Sequence, residues 1–237
     1  MSESFKFKQF SIHQDRCAMK IGTDGVLLGA WASLDKKPNT ILDIGAGTGL
    51  IALMMAQRSD AEIIDAIEIE EAAYEQCVEN LENSPWGDRL FCYHAGLDEF
   101  VDEVDDKYDL IISNPPFYSE DVSSGDKARD RARQNNSLPF DELLEGVRRL
   151  LSKNGVFSVI VPHKEERLFI TVAEKQGLYP KRITRVKGNY ESPVKRSLLE
   201  FGFARINLTT NELVIEISRQ KYTSEYMRLT KAFYLKM

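Results

Sequence analysis

The central motif of the chain is Ile41-Leu42-Asp43-Ile44-Gly45-Ala46-Gly47-Thr48-Gly49-Leu50, in which three glycines at alternate positions follow an apolar run. Residues 40–44 have the composition of a buried strand, and the pattern from Thr48 through Arg58 is helical with one apolar side. Glycine allows positive φ in the turn between them and lets a ligand approach the backbone. The motif therefore predicts a strand, a tight turn and a helix that can bind a nucleotide.

Two carboxylates beside the turn indicate the kind of nucleotide. The glycine spacing differs from the G-x-G-x-x-G of dinucleotide sites, and Asp43 would repel a pyrophosphate. The carboxylate of Asp43 instead suits the ammonium of a methionine moiety, in a cofactor with a sulfonium and no phosphate. Glu68 follows a second strand, residues 62–67, where it can accept bonds from ribose hydroxyls. Gly45, Gly47 and both carboxylates thus predict an S-adenosylmethionine site, and the alternative is a glycine turn of an unrelated α/β domain.

A second motif, Ser113-Asn114-Pro115-Pro116-Phe117, follows the short apolar strand 108–113, at the end where ligands of open α/β sheets bind. The Asn114 side-chain oxygen and the Pro115 carbonyl can accept the hydrogens of an adenine amino group and stabilise the charge that develops when it attacks a methyl group. Phe117 offers a face on which an extruded base can stack. We predict catalytic roles for these three residues and a cofactor contact for Asn114. The alternative is an ordinary proline turn followed by a core phenylalanine.

Both motifs resemble those of class I methyltransferases of the N6-adenine type, and most closely the bacterial enzymes that methylate the adenine beside the anticodon of a valine tRNA. The similarity runs nearly end to end and includes the flanking segments 7–10, 20–31, 129–133, 193–196 and 222–235. In that family the segment equivalent to residues 20–24 helps to cover the cofactor, which implies binding roles for Thr23 and Asp24. Either residue can also cap a helix over Gly25 to Ala32.

One position departs from the family. Many relatives carry an Asp that bonds the cofactor adenine after the third strand, whereas this chain has His94-Ala95-Gly96-Leu97-Asp98. If Gly96 occupies that position, the resemblance implies that Leu97 and backbone groups hold the adenine.

The charge of the chain is unevenly distributed. The net charge is −6, but residues 1–118 hold 9 Lys and Arg against 22 Asp and Glu, and residues 119–237 hold 22 against 15. A local basic surface, and not the net charge, governs contact with phosphates. We therefore expect the second half to face RNA, with Tyr190 available for stacking. The basic residues concerned form a first cluster of Lys127, Arg129, Arg131 and Arg133 and a second cluster of Arg182, Arg185, Lys187, Lys195 and Arg196. The alternative for each of them is a solvated surface charge.

Strand and helix signals alternate through the middle of the chain, with strands expected near residues 40–44, 62–68, 89–94, 108–113 and 155–161. This alternation predicts an α/β fold in which helices cover both faces of a mostly parallel sheet. The resemblance implies the Rossmann-like fold of class I methyltransferases, in which the final strand is antiparallel. Further strands are expected at 179–187, 197–205 and 213–217, and a terminal helix at 223–235. We expect one domain, residues 1–237, with a cofactor-covering segment (1–33) and a basic part (about 180–237) that faces RNA.

Composition favours a cytoplasmic enzyme. The chain has 237 residues, 43% of them hydrophobic, which is enough for a substantial core. Three cysteines and three histidines without metal-ligand spacing indicate neither a disulfide framework nor a metal site. No signal sequence or bilayer-spanning apolar stretch is evident, and we expect a monomer.

Three other functions remain open at this stage. A related class of enzymes methylates the exocyclic amine of guanine in ribosomal RNA with a similar loop. Protein glutamine methyltransferases usually carry Tyr where Phe117 stands and have a different N-terminal domain. A tRNA-binding or folding factor with a vestigial methyltransferase site is the third, and the intact Asp43, Glu68 and Asn114 argue against it.

Overall fold

The computed structural model of the protein describes residues 4–116 and 138–236. The helices in this part of the chain are α1 (Thr23–Trp31), α2 (Leu50–Arg58), α3 (Glu71–Glu82), α4 (Leu97–Glu103), α5 (Phe140–Leu150), α6 (Glu166–Lys175) and α7 (Ser224–Thr230). The strands are β1 (Phe5–Lys6), β2 (Ser11–Ile12), β3 (Thr40–Ile44), β4 (Ile63–Glu68), β5 (Leu90–His94), β6 (Tyr108–Ser113), β7 (Leu151–Pro162), β8 (Tyr179–Asn189), β9 (Val194–Gly202), β10 (Thr209–Ser218) and β11 (Lys221–Tyr222).

Within these residues, β3 to β11 form one sheet in the order β11-β10-β8-β9-β7-β6-β3-β4-β5. The strands β5, β4, β3, β6 and β7 are mutually parallel. Strand β9 runs antiparallel to both β7 and β8, β10 is parallel to β8, and β11 closes this edge antiparallel to β10. The predicted α/β class and mostly parallel sheet are confirmed, but antiparallel pairing also occurs at β9, inside the sheet.

Helices cover both faces of the sheet, as expected from its continuously apolar strands. On one face α1, α2 and α3 contribute Leu27, Leu53 and Leu81 to a buried cluster. On the other face α4, α5 and α6 contribute Phe100, Leu144 and Phe169 to a second cluster. None of the described helices is long and apolar enough to cross a bilayer.

The two ends of the described chain lie together. Phe7 forms an antiparallel bridge with Tyr234, and their rings lie 5.9 Å apart. Helix α7 begins after Thr223, whose hydroxyl oxygen accepts from the Tyr226 N–H at 3.2 Å, so it starts where expected. It ends at Thr230, earlier than the sequence pattern indicates, and turns follow.

Helix α1 begins earlier than predicted. Its first residue is Thr23, the cap position is Gly22, and no side chain makes a capping bond there. The alternative role of Thr23 or Asp24, as the cap of a helix over Gly25 to Ala32, does not hold, because both residues lie inside the first turn.

Candidate active site

The two sequence motifs meet at one edge of the sheet. Strand β3 pairs in parallel with β4 on one side and β6 on the other, so Ile44 lies level with Ile67 and Ser113. The Ser113 hydroxyl donates to the Ile44 carbonyl at 2.9 Å, and the N–H groups of Gly45 and Ala46 both donate to the Ile67 carbonyl at 3.0 Å. The glycine turn and the Asn-Pro-Pro segment therefore leave neighbouring strand ends and share a fixed base.

The three glycines of the turn adopt the left-handed region, as the motif predicts. Their φ angles are +73° at Gly45, +56° at Gly47 and +78° at Gly49. A Cβ added at Gly49 would lie 3.0 Å from the Cys77 sulfur, whereas Cβ atoms at Gly45 and Gly47 would meet nothing within 4 Å. The first two glycines thus border open space, and the third lets α3 approach closely.

Glu68 lies beside the turn at the end of β4. Its Oε2 accepts from the Gly47 N–H at 2.8 Å and its Oε1 from the Glu70 N–H at 2.9 Å. The carboxylate is only partly buried, and each oxygen retains a second acceptor direction. Glu68 therefore fixes the turn and is still able to accept bonds from a ligand in the open space.

Asp43 lies under the turn and is fully buried. Its Oδ2 accepts from the Ala52 N–H at 3.1 Å, which ties the end of β3 to the first turn of α2. Its Oδ1 has no hydrogen-bond partner among the described residues. Burial raises the pKa of this carboxyl to about 7; the bond from Ala52 opposes the rise and the charge of Glu68 adds to it. One buried acceptor is therefore left for a cation or donor.

Asn114 and Pro115 lie where β6 ends, and Pro115 is buried. A Cβ at Gly25 would lie 3.8 Å from the Asn114 Nδ2 and 3.0 Å from the Leu50 side chain. The start of α1 therefore contacts both the Asn-Pro-Pro segment and the start of α2. Phe117 lies outside the described residues, and its stacking role stays a prediction.

Two polar residues of α3, which the sequence analysis did not identify, attach the N-terminal segment to this site. Asn80 is buried; its Oδ1 accepts from the His13 N–H at 2.8 Å, and its Nδ2 donates to the carbonyls of His13 and Thr48 at 2.9 Å. Gln76 is also buried and accepts from the Arg16 N–H at 2.8 Å. The signal available in the sequence was a pair of amide side chains, Gln76 and Asn80, four positions apart in a helical pattern.

The N-terminal segment also lies close to Glu68. Burial raises the pKa of the Cys17 thiol to about 12, and the nearby charges of Glu68 and Glu70 contribute to the rise. Together with the bonds from α3, this position supports the predicted covering role of the segment.

The residues beside Gly96 include one buried and one exposed apolar side chain. The Leu97 side chain is buried against α5, where it would lie 2.7 Å from a Cβ at Gly146. Leu97 is thus a core residue. The exposed apolar side chain beside Gly96 is Ile69, at 61% exposure, and the Asp98 Oδ1 lies 2.7 Å from the position of a Cβ at Gly96.

Most basic residues of the second predicted RNA-binding cluster are paired within the protein. Arg196 Nε donates to Asp24 Oδ2 at 2.7 Å. Thr23, which precedes Asp24 in the chain, is exposed. Lys195 is exposed. The other pairs are Arg182 with Glu200, Arg185 with Glu166 and Lys187 with Glu212. The first cluster (Lys127, Arg129, Arg131, Arg133) lies outside the described residues.

Comparison with known proteins agrees with this geometry. Residues 25–169 match the model of the methyltransferase small domain family. The fold is similar to that of a crystal structure from Agrobacterium tumefaciens described as a predicted O-methyltransferase, with a TM-score of 0.69 at 19% identity, covering 89% of this chain and 96% of that one. It is also similar to a ribosomal protein L11 methylase from Lactobacillus delbrueckii, with a TM-score of 0.54 at 16% identity, covering 77% of each chain. The chain therefore has the methyltransferase fold and belongs to the methyltransferase small domain family.

Curated relatives narrow the assignment. A protein of Christiangramia forsetii named tRNA1(Val) (adenine(37)-N6)-methyltransferase is 62% identical over 100% of this chain and 99% of its own length. Proteins of the same name from Flavobacterium psychrophilum and Bacteroides fragilis are 60% and 45% identical, each over 98% of this chain and over 100% and 98% of their own lengths. The chain belongs to the family of tRNA1(Val) (adenine(37)-N6)-methyltransferases.

Proposed function

We propose that this protein transfers a methyl group from S-adenosylmethionine to the N6 amine of adenine 37 in a valine tRNA. The observation that carries the proposal is the bond from the Ser113 hydroxyl to the Ile44 carbonyl, because it fixes the Asn-Pro-Pro segment beside the glycine turn. The names of the full-length relatives support the substrate.

The residues around the turn fit the cofactor. Open space beside Gly45 and Gly47 gives room for it, and Glu68 offers acceptors to ribose hydroxyls. The unpartnered Oδ1 of Asp43 suits the methionine ammonium. Asp24 and Thr23 lie at the start of α1, beside the Asn-Pro-Pro segment, where they can contact the methionine end. When bound, the cofactor supplies an electrophilic methyl group on a sulfonium.

Asn114 and Pro115 act on the adenine amine. This nitrogen is a poor nucleophile because its lone pair is delocalised into the ring. The Asn114 side-chain oxygen and the Pro115 carbonyl accept its two hydrogens, which favours a pyramidal nitrogen and stabilises its developing positive charge. Pro116 has no N–H that could compete for these acceptors. Phe117 stacks on the base after it leaves the RNA stack.

Basic residues bind the RNA itself. Lys195 and Arg196 at the start of β9 contribute, together with Lys127, Arg129 and Arg133 that follow the catalytic segment in sequence. We place the protein in the cytoplasm, where tRNA is modified, and expect it to act as a monomer.

The proposal is tested by transfer of labelled methyl groups from S-adenosylmethionine to bulk RNA from cells that lack this protein, followed by nucleoside digestion and mass analysis. N6-methyladenosine confined to a valine tRNA is the expected product. N2-methylguanosine, or label only in ribosomal RNA, would overturn the substrate. Failure to bind S-adenosylmethionine would overturn the enzyme assignment and favour a tRNA-binding factor.

A further inference from the structure

The turn between β8 and β9 displays an aromatic ring to solvent. Tyr190 is 65% exposed, more than any other large apolar or aromatic side chain among residues 4–116 and 138–236. The Asn189 Oδ1 accepts from the N–H groups of Glu191 and Ser192 at 3.0 and 2.8 Å, and the Ser192 Oγ accepts from the Asn189 N–H at 2.9 Å. Because side chains hold the backbone of this turn, the ring has a fixed support.

The turn lies on the active-site edge of the sheet. Strands β7 and β8 are both antiparallel to β9, so the carboxyl end of β8 faces the same way as that of β6, which precedes Asn114. Ser113 of β6 pairs with Val159 of β7. Two residues further along β7, Val161 pairs with Ser197 of β9, and Ser197 pairs in turn with Arg185 of β8. Asn189 therefore extends six residues beyond the level of Ser113, roughly 20 Å, and β8 lies three strand positions from β6, roughly 14 Å.

The base of this β8–β9 hairpin is held on both faces. On one face the buried Glu166 accepts from the Arg185 guanidinium at 2.7 Å and from the Ser197 hydroxyl at 2.5 Å, and His163 Nδ1 lies 3.1 Å from its Oε2. Burial opposes ionisation, but the bonds from Arg185 and Ser197 outweigh it and lower the Glu166 pKa. On the other face Arg196 pairs with Asp24. The hairpin is therefore a rigid projection beside the catalytic segment.

We propose that the β8–β9 hairpin docks the RNA substrate and that Tyr190 stacks on an unpaired base of the RNA molecule whose target adenine lies at Asn114. This inference rests on the proposed function. The separation between the hairpin tip and Asn114 means that the stacked base is a different one from the target. Stacking suits the tip better than phosphate contact, because Glu191 beside the ring is acidic and exposed. Lys195, for which no ion-pair partner occurs among the described residues, supplies the phosphate contact below the tip.

The experiment measures the Kd of unmodified valine tRNA by filter binding over a range of salt concentrations. Tyr190→Ala is expected to raise the Kd roughly 5- to 150-fold without changing its salt dependence, and Tyr190→Trp to bind like the wild type. Lys195→Ala should instead lower the slope of log Kd against log salt by about 1. The matched control is Phe91→Ala, which removes an exposed aromatic ring from β5 at the opposite edge of the sheet.

Two results would overturn the inference. The first is a Tyr190→Ala protein that binds the tRNA as tightly as the wild type does. The second is an equal loss in Phe91→Ala, which would mean that any exposed ring affects binding. If the wild type methylates valine tRNA in either case, the proposed function stands. If the wild type methylates no tRNA, the proposed function falls, and this inference falls with it.

Discussion

Arg196 Nε donates to Asp24 Oδ2 at 2.7 Å, a bond that joins the start of β9 to the first turn of α1 across 172 positions of the chain. The two side chains are 37% and 31% exposed, so the pair contributes only about 0–1 kcal/mol to stability. Its importance is positional, since it connects the segment expected to cover the cofactor to the hairpin expected to meet RNA.

The two members of this pair are expected to act on different ligands. Asp24→Ala should raise the Kd for S-adenosylhomocysteine roughly 10- to 150-fold, the effect of losing a hydrogen bond to a charged group. Arg196→Gln should leave that Kd nearly unchanged and raise KM for tRNA. Calorimetry and steady-state kinetics measure the two effects. Equal losses of cofactor affinity in the two variants would show that Asp24 acts only through Arg196.

Asn114→Ala should lower kcat for tRNA methylation roughly 100- to 1,000-fold, as expected when one preorganised group that stabilises transition-state charge is removed. The Kd for S-adenosylhomocysteine should change far less than kcat, because the side chain acts mainly on the amine and its predicted cofactor contact is one of several. Single-turnover methyl transfer measures the chemical step. Near-normal turnover in this variant would disprove the assigned role.

Gly47→Ala and Gly177→Ala form a matched pair for the cofactor site. Both glycines have positive φ, +56° and +76°, and an added Cβ meets nothing within 4 Å at either position. Each substitution should cost about 1–2 kcal/mol of stability through backbone strain, seen as similar decreases in Tm. Only Gly47→Ala should lose affinity for S-adenosylhomocysteine, by an order of magnitude or more. Unchanged affinity in Gly47→Ala would place the cofactor elsewhere.

Asp43 predicts a pH dependence of stability. Its pKa is raised by burial from 3.8 to about 7, so the folded protein keeps this proton at pH values where the unfolded chain has lost it. The contribution to stability is full below about pH 4, is lost as the pH rises through about 7, and is at its lowest value above about pH 8. Asn at position 43 cannot titrate, so only the wild type loses this contribution as the pH rises. The free energy of unfolding of Asp43→Asn minus that of the wild type should therefore increase between pH 5 and about 8, as urea unfolding can measure. A difference that is independent of pH would contradict this prediction.

The same group predicts proton release on cofactor binding. If the methionine ammonium contacts Asp43, binding favours the ionised carboxylate, and near pH 6 the protein should release a proton when S-adenosylhomocysteine binds. Calorimetry in buffers of different ionisation enthalpy detects this release. Asp43→Asn is the control and should show less release; equal release in the two proteins would remove Asp43 from the ammonium site.

The sequence pattern was most informative where structure depends on local composition. Strands β3 and β6 have the predicted bounds, because a continuous apolar run that ends in a glycine turn or a proline pair specifies a buried parallel strand. The positive φ of Gly45 and Gly47 follows from the same turn. These local features place Asp43, Glu68 and Asn114 at one edge of the sheet without further information.

Contacts between distant segments could not be predicted in this way. Arg182 lies directly opposite Glu200 only because of the register between β8 and β9, which composition does not specify. Arg185 and Lys187 pair with carboxylates of other elements, Glu166 of α6 and Glu212 of β10. Composition does not reveal these approaches either, so a charge count overstated the basic surface. Asn80 holds backbone groups of His13 and Thr48 that are remote in sequence.

The central claim is that this edge of the sheet methylates one adenine amine. It is tested most directly with two transcripts of the valine tRNA anticodon stem and loop that differ only at position 37, one with adenosine and one with guanosine. The account predicts label from S-adenosylmethionine in the adenosine transcript, recovered as N6-methyladenosine and lost in Asn114→Ala, and none in the guanosine transcript. Equal labelling of both transcripts, or N2-methylguanosine in the second, would contradict it.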